Sequence, residues 1–259
     1  MLRPAASGPR VFLTAEWRHL AMLNFELDPV VLEPFLPRHL ELDFWNGKTY
    51  VSLVGFMFRD TRVLGVPIPF HRNFAELNLR FYVRRRDAPE ERRGVIFIRE
   101  IVPRWAVSFV ARNVYQENYL TLPMRHSIES GPQADCGVVV EYAWRFRRRW
   151  NRMRIEAAGI AELPATGSLD EFIVDHFWGY CRQRNGECLE YEVEHPPWPI
   201  RAATHVELDC DAAGLYGPAP AEALACPPRS AFLVDGSAVA LHRGVRLAAR
   251  PEAAATTSR

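Results

Sequence analysis

The sequence predicts a mainly β protein in which an antiparallel sheet closes on itself and a few helices pack outside it. The first observation is strict two-residue alternation over residues 74–83. There Ala75, Leu77, Leu79, Phe81 and Val83 share one face, while Glu76, Asn78 and Arg80 share the other beside Phe74 and Tyr82. A period of two belongs to a half-buried strand, because successive side chains point to opposite faces. The second observation is that strand-like stretches come in consecutive runs, about ten against three or four helices, rather than alternating with helices as βα units do. The third is Asn46-Gly47 between two apolar runs. Both central residues of a tight hairpin turn need positive φ, which makes this pair the strongest two-residue hairpin signal.

Taken in order, residues 1–10 form a loose arm, and Asp28-Pro29 opens a short helix by the cap-then-proline rule, closed by Pro37. Residues 41–45 and 48–59 form the hairpin around Asn46-Gly47. The strand 74–83 leads through a charged loop, 84–93, to a strand at 95–101. Pro103 suits the first turn of a helix with Ala106, Phe109, Val110 and Val114 on its apolar side. This helix ends in the polar cluster Tyr115, Gln116, Glu117, Asn118 and Tyr119. Strands follow at 119–128, 137–146 and 150–157. A helix is expected over 169–183, with Ser168 and Glu171 as a capping box and Leu169, Phe172, Ile173, His176, Phe177 and Tyr180 as one stripe. Strands at 187–194 and 204–208 flank the proline-fixed turn 195–199, and a last hairpin turns at Asp235-Gly236. Residues 251–259 read as a flexible tail, leaving one domain over 11–250.

Composition narrows the function. With a formal net charge of +1 there is no global field favouring nucleic acid or anionic lipid. No apolar run approaches the ~18 residues of a membrane span. The run Val11-Phe12-Leu13 is too short for a signal peptide, so the expectation is a cytoplasmic protein whose five cysteines are reduced. Of 32 basic residues 31 are arginine, and Lys48 is the only lysine. Arginine binds anions but forms no imine, so Schiff-base chemistry would have to run through Lys48. Lys48 follows a tight turn, where solvent keeps an amine protonated.

The polar row of residues 74–83 suits the wall of a pocket. Residues two apart on one face lie roughly 7 Å from each other, so Glu76 and Arg80, about 13 Å apart, can address two ends of one small ligand without pairing. Glu76 is the candidate catalytic residue, with Asn78 as an orienting hydrogen bonder and Arg80 as an anion clamp. The plainer alternatives are a water-facing position or an arginine partner on the neighbouring strand for Glu76, and a carboxylate partner such as Glu100 for Arg80. Tyr115, Glu117 and Asn118 form a second candidate ligand-binding group. His195 would need an adjacent partner to act as a catalyst, and His176, on an apolar stripe, reads as a satisfied core histidine. The histidines show no metal spacing, and no glycine-rich phosphate loop is present, so neither a metal nor a cofactor is expected. Residues 144–154 interleave arginine with aromatics. Single-stranded nucleic acid is gripped by such surfaces, but a hairpin with arginines out and aromatics in fits the near-neutral charge better.

The segments Glu76-Leu77-Asn78-Leu79-Arg80-Phe81-Tyr82-Val83, Gly94-Val95-Ile96-Phe97 and His195-Pro196-Pro197-Trp198-Pro199 resemble the YqjF-like bacterial domain of unknown function, from about Trp17 to Leu241. That family is grouped with acetoacetate decarboxylase, so the resemblance implies a cone-shaped antiparallel β-barrel around an apolar cavity, with Glu76 in the place of an active-site glutamate. The decarboxylases use a lysine pair after a helix; the matching stretch here, Val114 to Tyr119, has none. The reading is a protein that binds a small anionic organic molecule in an internal cavity; if it is an enzyme, its mechanism is lyase-like acid–base chemistry without a Schiff-base lysine. A non-catalytic binding or sensor protein is one alternative, and a nucleic-acid-associated protein working through Arg145 to Arg154 is another. The sequence leaves homo-oligomerisation open.

Overall fold

The computed structural model describes residues 10–88, 90–104, 118–131, 137–183 and 185–247. Its longest strand is β1 (Val11–Leu27). Short strands β2 (Leu40–Leu42), β4 (Val66–Pro67) and β7 (Tyr119–Thr121) attach to the edges of longer ones. The main strands are β3 (Thr49–Val63), β5 (Phe74–Arg85), β6 (Arg93–Val102), β8 (Met124–Ser130), β9 (Val138–Phe146) and β10 (Arg149–Ala157). They continue with β11 (Trp178–Arg182), β12 (Cys188–Glu194), β13 (Ile200–Asp209), β14 (Ser230–His242) and β15 (Val245–Leu247). Their spatial order is β15-β12-β11-β6-β5-β3-β1-β14-β13-β10-β9-β8. β12 also pairs with β14, Val193 opposite Leu241 and Glu194 opposite Ala240. That pairing closes β12-β11-β6-β5-β3-β1-β14 into a ring of seven strands. Every junction in the ring is antiparallel except β11 with β6.

Each ring strand has a committed inside and outside. On the outer face Leu23, Leu53, Leu77, Leu79 and Phe81 pack against Tyr142, Trp144, Met153 and Ile155 of β9 and β10. The short helices α3 (Ala212–Tyr216) and α4 (Pro218–Leu224) cover the same core with Leu215, Tyr216 and Leu224. Gly55 of β3 makes this approach possible, since a Cβ there would lie 2.5 Å from the Tyr142 ring. The inner face carries Leu20, Met22, Val54, Phe56, Phe58, Phe74 and Val95, closed at one end by Phe172 and Ile173 of α2 (Leu169–Val174).

Several expected elements take other forms. The short helix is α1 (Pro29–Leu32), capped by Asp28, whose carboxylate accepts from Val30 N at 2.9 Å, and it runs on into a 3-10 turn. The expected helix over 169–183 starts at its Ser168 cap but stops at Val174. The following residues form β11, because backbone pairing with both β6 and β12 outweighs the helical stripe. Asn46 and Gly47 do turn with positive φ, but the turn is closed only by a Trp45–Lys48 bridge, and β2 pairs with β5 instead of β3. Asp235-Gly236 is not a hairpin turn: β14 runs straight through it, with Gly236 at φ 88°. The β9–β10 hairpin turns at Arg147-Arg148, both at positive φ. β1 itself was hidden from the alternation pattern by a bulge at His19 (φ 54°). Before it Ala15 faces inward; after it Leu20 and Met22 do, so the parity changes within one strand. The freed His19 carbonyl accepts from the Tyr142 hydroxyl at 2.8 Å. The helix expected after Pro103, with Tyr115 and Glu117, lies outside the described residues, as do Cys136, residues 1–9 and the tail.

Candidate functional site

The ring encloses a cavity of about 240 Å³ to which all seven strands contribute side chains. Its walls are mostly apolar, with Trp17, Phe56, Phe58 and Phe74 among them. β5 turns Glu76, Asn78 and Arg80 into it, while the alternate row, Ala75 to Val83, enters the outer core. The strand's even residues are therefore the polar wall, and its odd residues anchor the sheet.

Glu76 is 2% exposed. Taking a carboxylate out of water is costly unless donors replace the lost hydration. Among the described residues, the Tyr119 hydroxyl donates to Oε2 at 3.1 Å and the Asn78 amide to Oε1 at 3.2 Å. Across the strand pair, Asn78 faces Glu100, also 2% exposed and on the cavity wall. Sequence reasoning considered Glu100 only as an ion-pair partner for Arg80. Simple alternation would put Glu100 on the opposite face from Phe97. A bulge reverses that: Leu79 pairs with Arg99 and Arg80 with Phe97, leaving Ile98 as the extra residue. Phe97 and Glu100 thus both reach the cavity.

Asn118 supports the bulge. It is exposed and does not line the cavity; its amide donates to the Ile98 carbonyl at 2.7 Å, and its own carbonyl accepts from Glu100 N at 3.1 Å. The structure therefore does not bring Asn118 together with Glu76, Asn78 and Arg80 as a ligand contact.

Arg80 makes no ion pair among the described residues; its guanidinium lies 5.7 Å from the Tyr82 ring centroid and 4.0 Å from Met22 Sδ. Its Nε is buried without a hydrogen-bond acceptor. A buried guanidinium nitrogen without an acceptor is costly, because a cation taken out of water has lost its hydration.

At the same end stands His176, which is on the cavity wall and not within a helix. Its ring packs on Tyr82, 4.6 Å between centroids, and on Phe172 at 5.2 Å. Nε2 lies 3.3 Å from Asp43 Oδ2, which also accepts from Arg93 Nε at 2.8 Å. Nδ1 is buried without a partner, so this histidine is not satisfied at both nitrogens. Burial pushes the imidazole down to about 4, outweighing the bond to Asp43. For Asp43, burial acts upward, but the bonds from His176 and Arg93 overcome it and hold the carboxyl below its ordinary range. His195 stacks between Trp198, 3.9 Å away, and Phe177 at 4.7 Å, while its Nδ1 lies 2.9 Å from the Pro196 carbonyl. Burial lowers its pKa as well.

Lys48 stands away from all this. It does not line the cavity, its side chain is 48% exposed, and it pairs with Glu26 at 2.8 Å. Of the arginines of the β9–β10 hairpin, Arg149 pairs with Asp209 and Arg152 with Glu207. No described helix is long and apolar enough to cross a membrane.

A family model for an uncharacterized conserved protein, domain of unknown function 2071, matches residues 14–234. The uncharacterized protein YqjF of Bacillus subtilis is 27% identical over 192 residues, covering 72% of this chain and 74% of that protein. Among solved structures, the enduracididine biosynthesis enzyme MppR with HEPES buffer bound superposes with a TM-score of 0.64 at 14% identity, over 96% of this chain and 98% of that one. Acetoacetate decarboxylase from Legionella pneumophila gives 0.62 at 13% identity, over 95% and 92%. At such identities the structural likeness speaks for the fold alone: a mainly β, acetoacetate-decarboxylase-like architecture. The match over most of the length makes this chain a member of the YqjF-like family, domain of unknown function 2071.

Proposed function

We propose that this protein binds a small oxo-carboxylate in the ring cavity and acts on it by acid–base chemistry without an imine. The observation that carries the reading is Arg80: a guanidinium on an apolar cavity wall with no carboxylate partner among the described residues. A bidentate hydrogen-bonded carboxylate would satisfy it. Glu76, anchored by Tyr119 and Asn78, then serves as the acid–base group on the same wall. The cavity volume suits a molecule of a few carbons. MppR, similar in fold, has been solved with pyruvate and with a condensation product of pyruvate and imidazole 4-carboxaldehyde. That supports an oxo acid as the class to test first. The absence of any lysine but the exposed Lys48 argues for a lysine-free route.

Titration calorimetry with 2-oxobutyrate tests the reading. Binding is expected for the native protein, a loss of at least tenfold for Arg80→Gln, and a smaller loss for Arg80→Lys, which keeps the charge but not the planar fork. Unchanged affinity in Arg80→Gln would overturn it.

A further inference from the structure

We infer that Asp43 and His176 form a proton-accepting pair at the Arg80 end of the cavity, taking a proton from the carbon beside the carbonyl of a bound oxo-carboxylate. This rests on the oxo-carboxylate reading above and adds a base that neither the sequence motifs nor Glu76 supplies.

The geometry fixes the roles of the two ring nitrogens. Asp43, held by Arg93 as well as His176, is acceptor-only when ionised, so the bridging proton belongs to His176 Nε2. Nδ1 is then a bare lone pair, and it has no donor among the described residues. A buried, unpartnered acceptor, here on a residue that lines the cavity, is costly in a purely structural role. Tyr82 joins the base to the anion clamp, its ring touching His176 on one side of the site and Arg80 on the other. The charged groups around the imidazole are Asp43 after β2, Arg80 on β5, Arg93 on β6, and Asp175 at the α2 cap, which pairs with Arg93 at 3.4 Å. Arg80 and Arg93 disfavour the imidazolium; a bound carboxylate neutralises Arg80 and so raises the basicity of His176 when substrate is present.

In the proposed step, the C–H bond beside the carbonyl breaks and an N–H bond forms at Nδ1. The C–H electron pair becomes the enolate double bond, and the carbonyl oxygen takes the negative charge. Asp43 stabilises the imidazolium, as an orienting carboxylate does for a histidine base. Return of a proton to carbon restores the substrate, so in D2O the step reads out as hydrogen–deuterium exchange.

The experiment follows the C-3 methylene signal of 2-oxobutyrate by proton NMR in D2O, alongside calorimetric affinity. The native protein should exchange it well above the buffer rate. His176→Gln should slow exchange by at least about 100-fold, the range of a general base, with affinity changed less than about threefold. Should that variant not fold, His176→Asn decides on the same criteria. Asp43→Asn should lower the exchange rate and shift its pH profile without abolishing binding. Binding without exchange above buffer, or a folded His176 variant exchanging at the native rate, overturns the pair while leaving the binding reading intact. No binding of 2-oxobutyrate by the native protein overturns both.

Discussion

His176 illustrates how burial sets chemistry at a single residue. Its side chain is 1% exposed, and withdrawal from water holds it neutral far below the ordinary histidine range. The folded protein therefore resists a proton that the unfolded chain accepts. As pH falls from about 6.5 to about 4, the unfolded state binds the extra proton and stability declines; above 6.5 the contribution is fully present. The shift corresponds to about 3 kcal/mol at its limit. Urea midpoints between pH 7 and pH 4 should fall in the native protein and fall less steeply in His176→Gln. Equal slopes would place the acid sensitivity elsewhere, with His19, His126 and His195, all lowered chiefly by burial, as the other contributors. Asp43 acts in the same direction, since its ionised form is the one stabilised by the fold.

At the level of elements, two bulges decide which side chains see the cavity. The bulge at His19 lets β1 present Trp17 and then Leu20 inward. The bulge at Ile98 lets β6 present Phe97 and then Glu100. Opposite the first, Gly236 lies at φ 88°, and a Cβ there would fall 1.9 Å from the Trp17 carbonyl oxygen. Both the left-handed backbone and the close approach exclude a side chain. Gly236→Ala should therefore cost more than about 2 kcal/mol in urea unfolding. A loss below about 0.5 kcal/mol would show that β1 and β14 are not held in this register.

For the whole molecule, closure of the ring separates two chemistries. The outer face is sealed by a second layer of sheet and helices, while the inner face keeps a space that no described side chain fills. Among the described residues Arg80 is the arginine lining that space, and the only lysine of the sequence lies outside it and pairs with Glu26. Borohydride reduction in the presence of acetoacetate should accordingly leave the protein mass unchanged. A stable adduct on Lys48 would refute the lysine-free route.

The amino-acid sequence alone determined the strand class, the inward polar row Glu76, Asn78 and Arg80, the Asp28 and Ser168 caps, and the lack of a usable lysine. Each follows from local rules: a period of two, a capping oxygen, a composition. It did not determine Glu100, because one unpaired residue changes which face a position occupies and leaves no mark in the pattern. It misread 178–182 as helix, because the same aromatics fit a helical stripe or a strand until two neighbouring strands supply hydrogen bonds. The Asp43–His176 contact joins residues 133 apart, and nothing near either one announces the other. Tertiary structure decided these points because ring closure, bulge position and long-range polar contacts depend on which strands meet, and the energy of that meeting is not written in any local window.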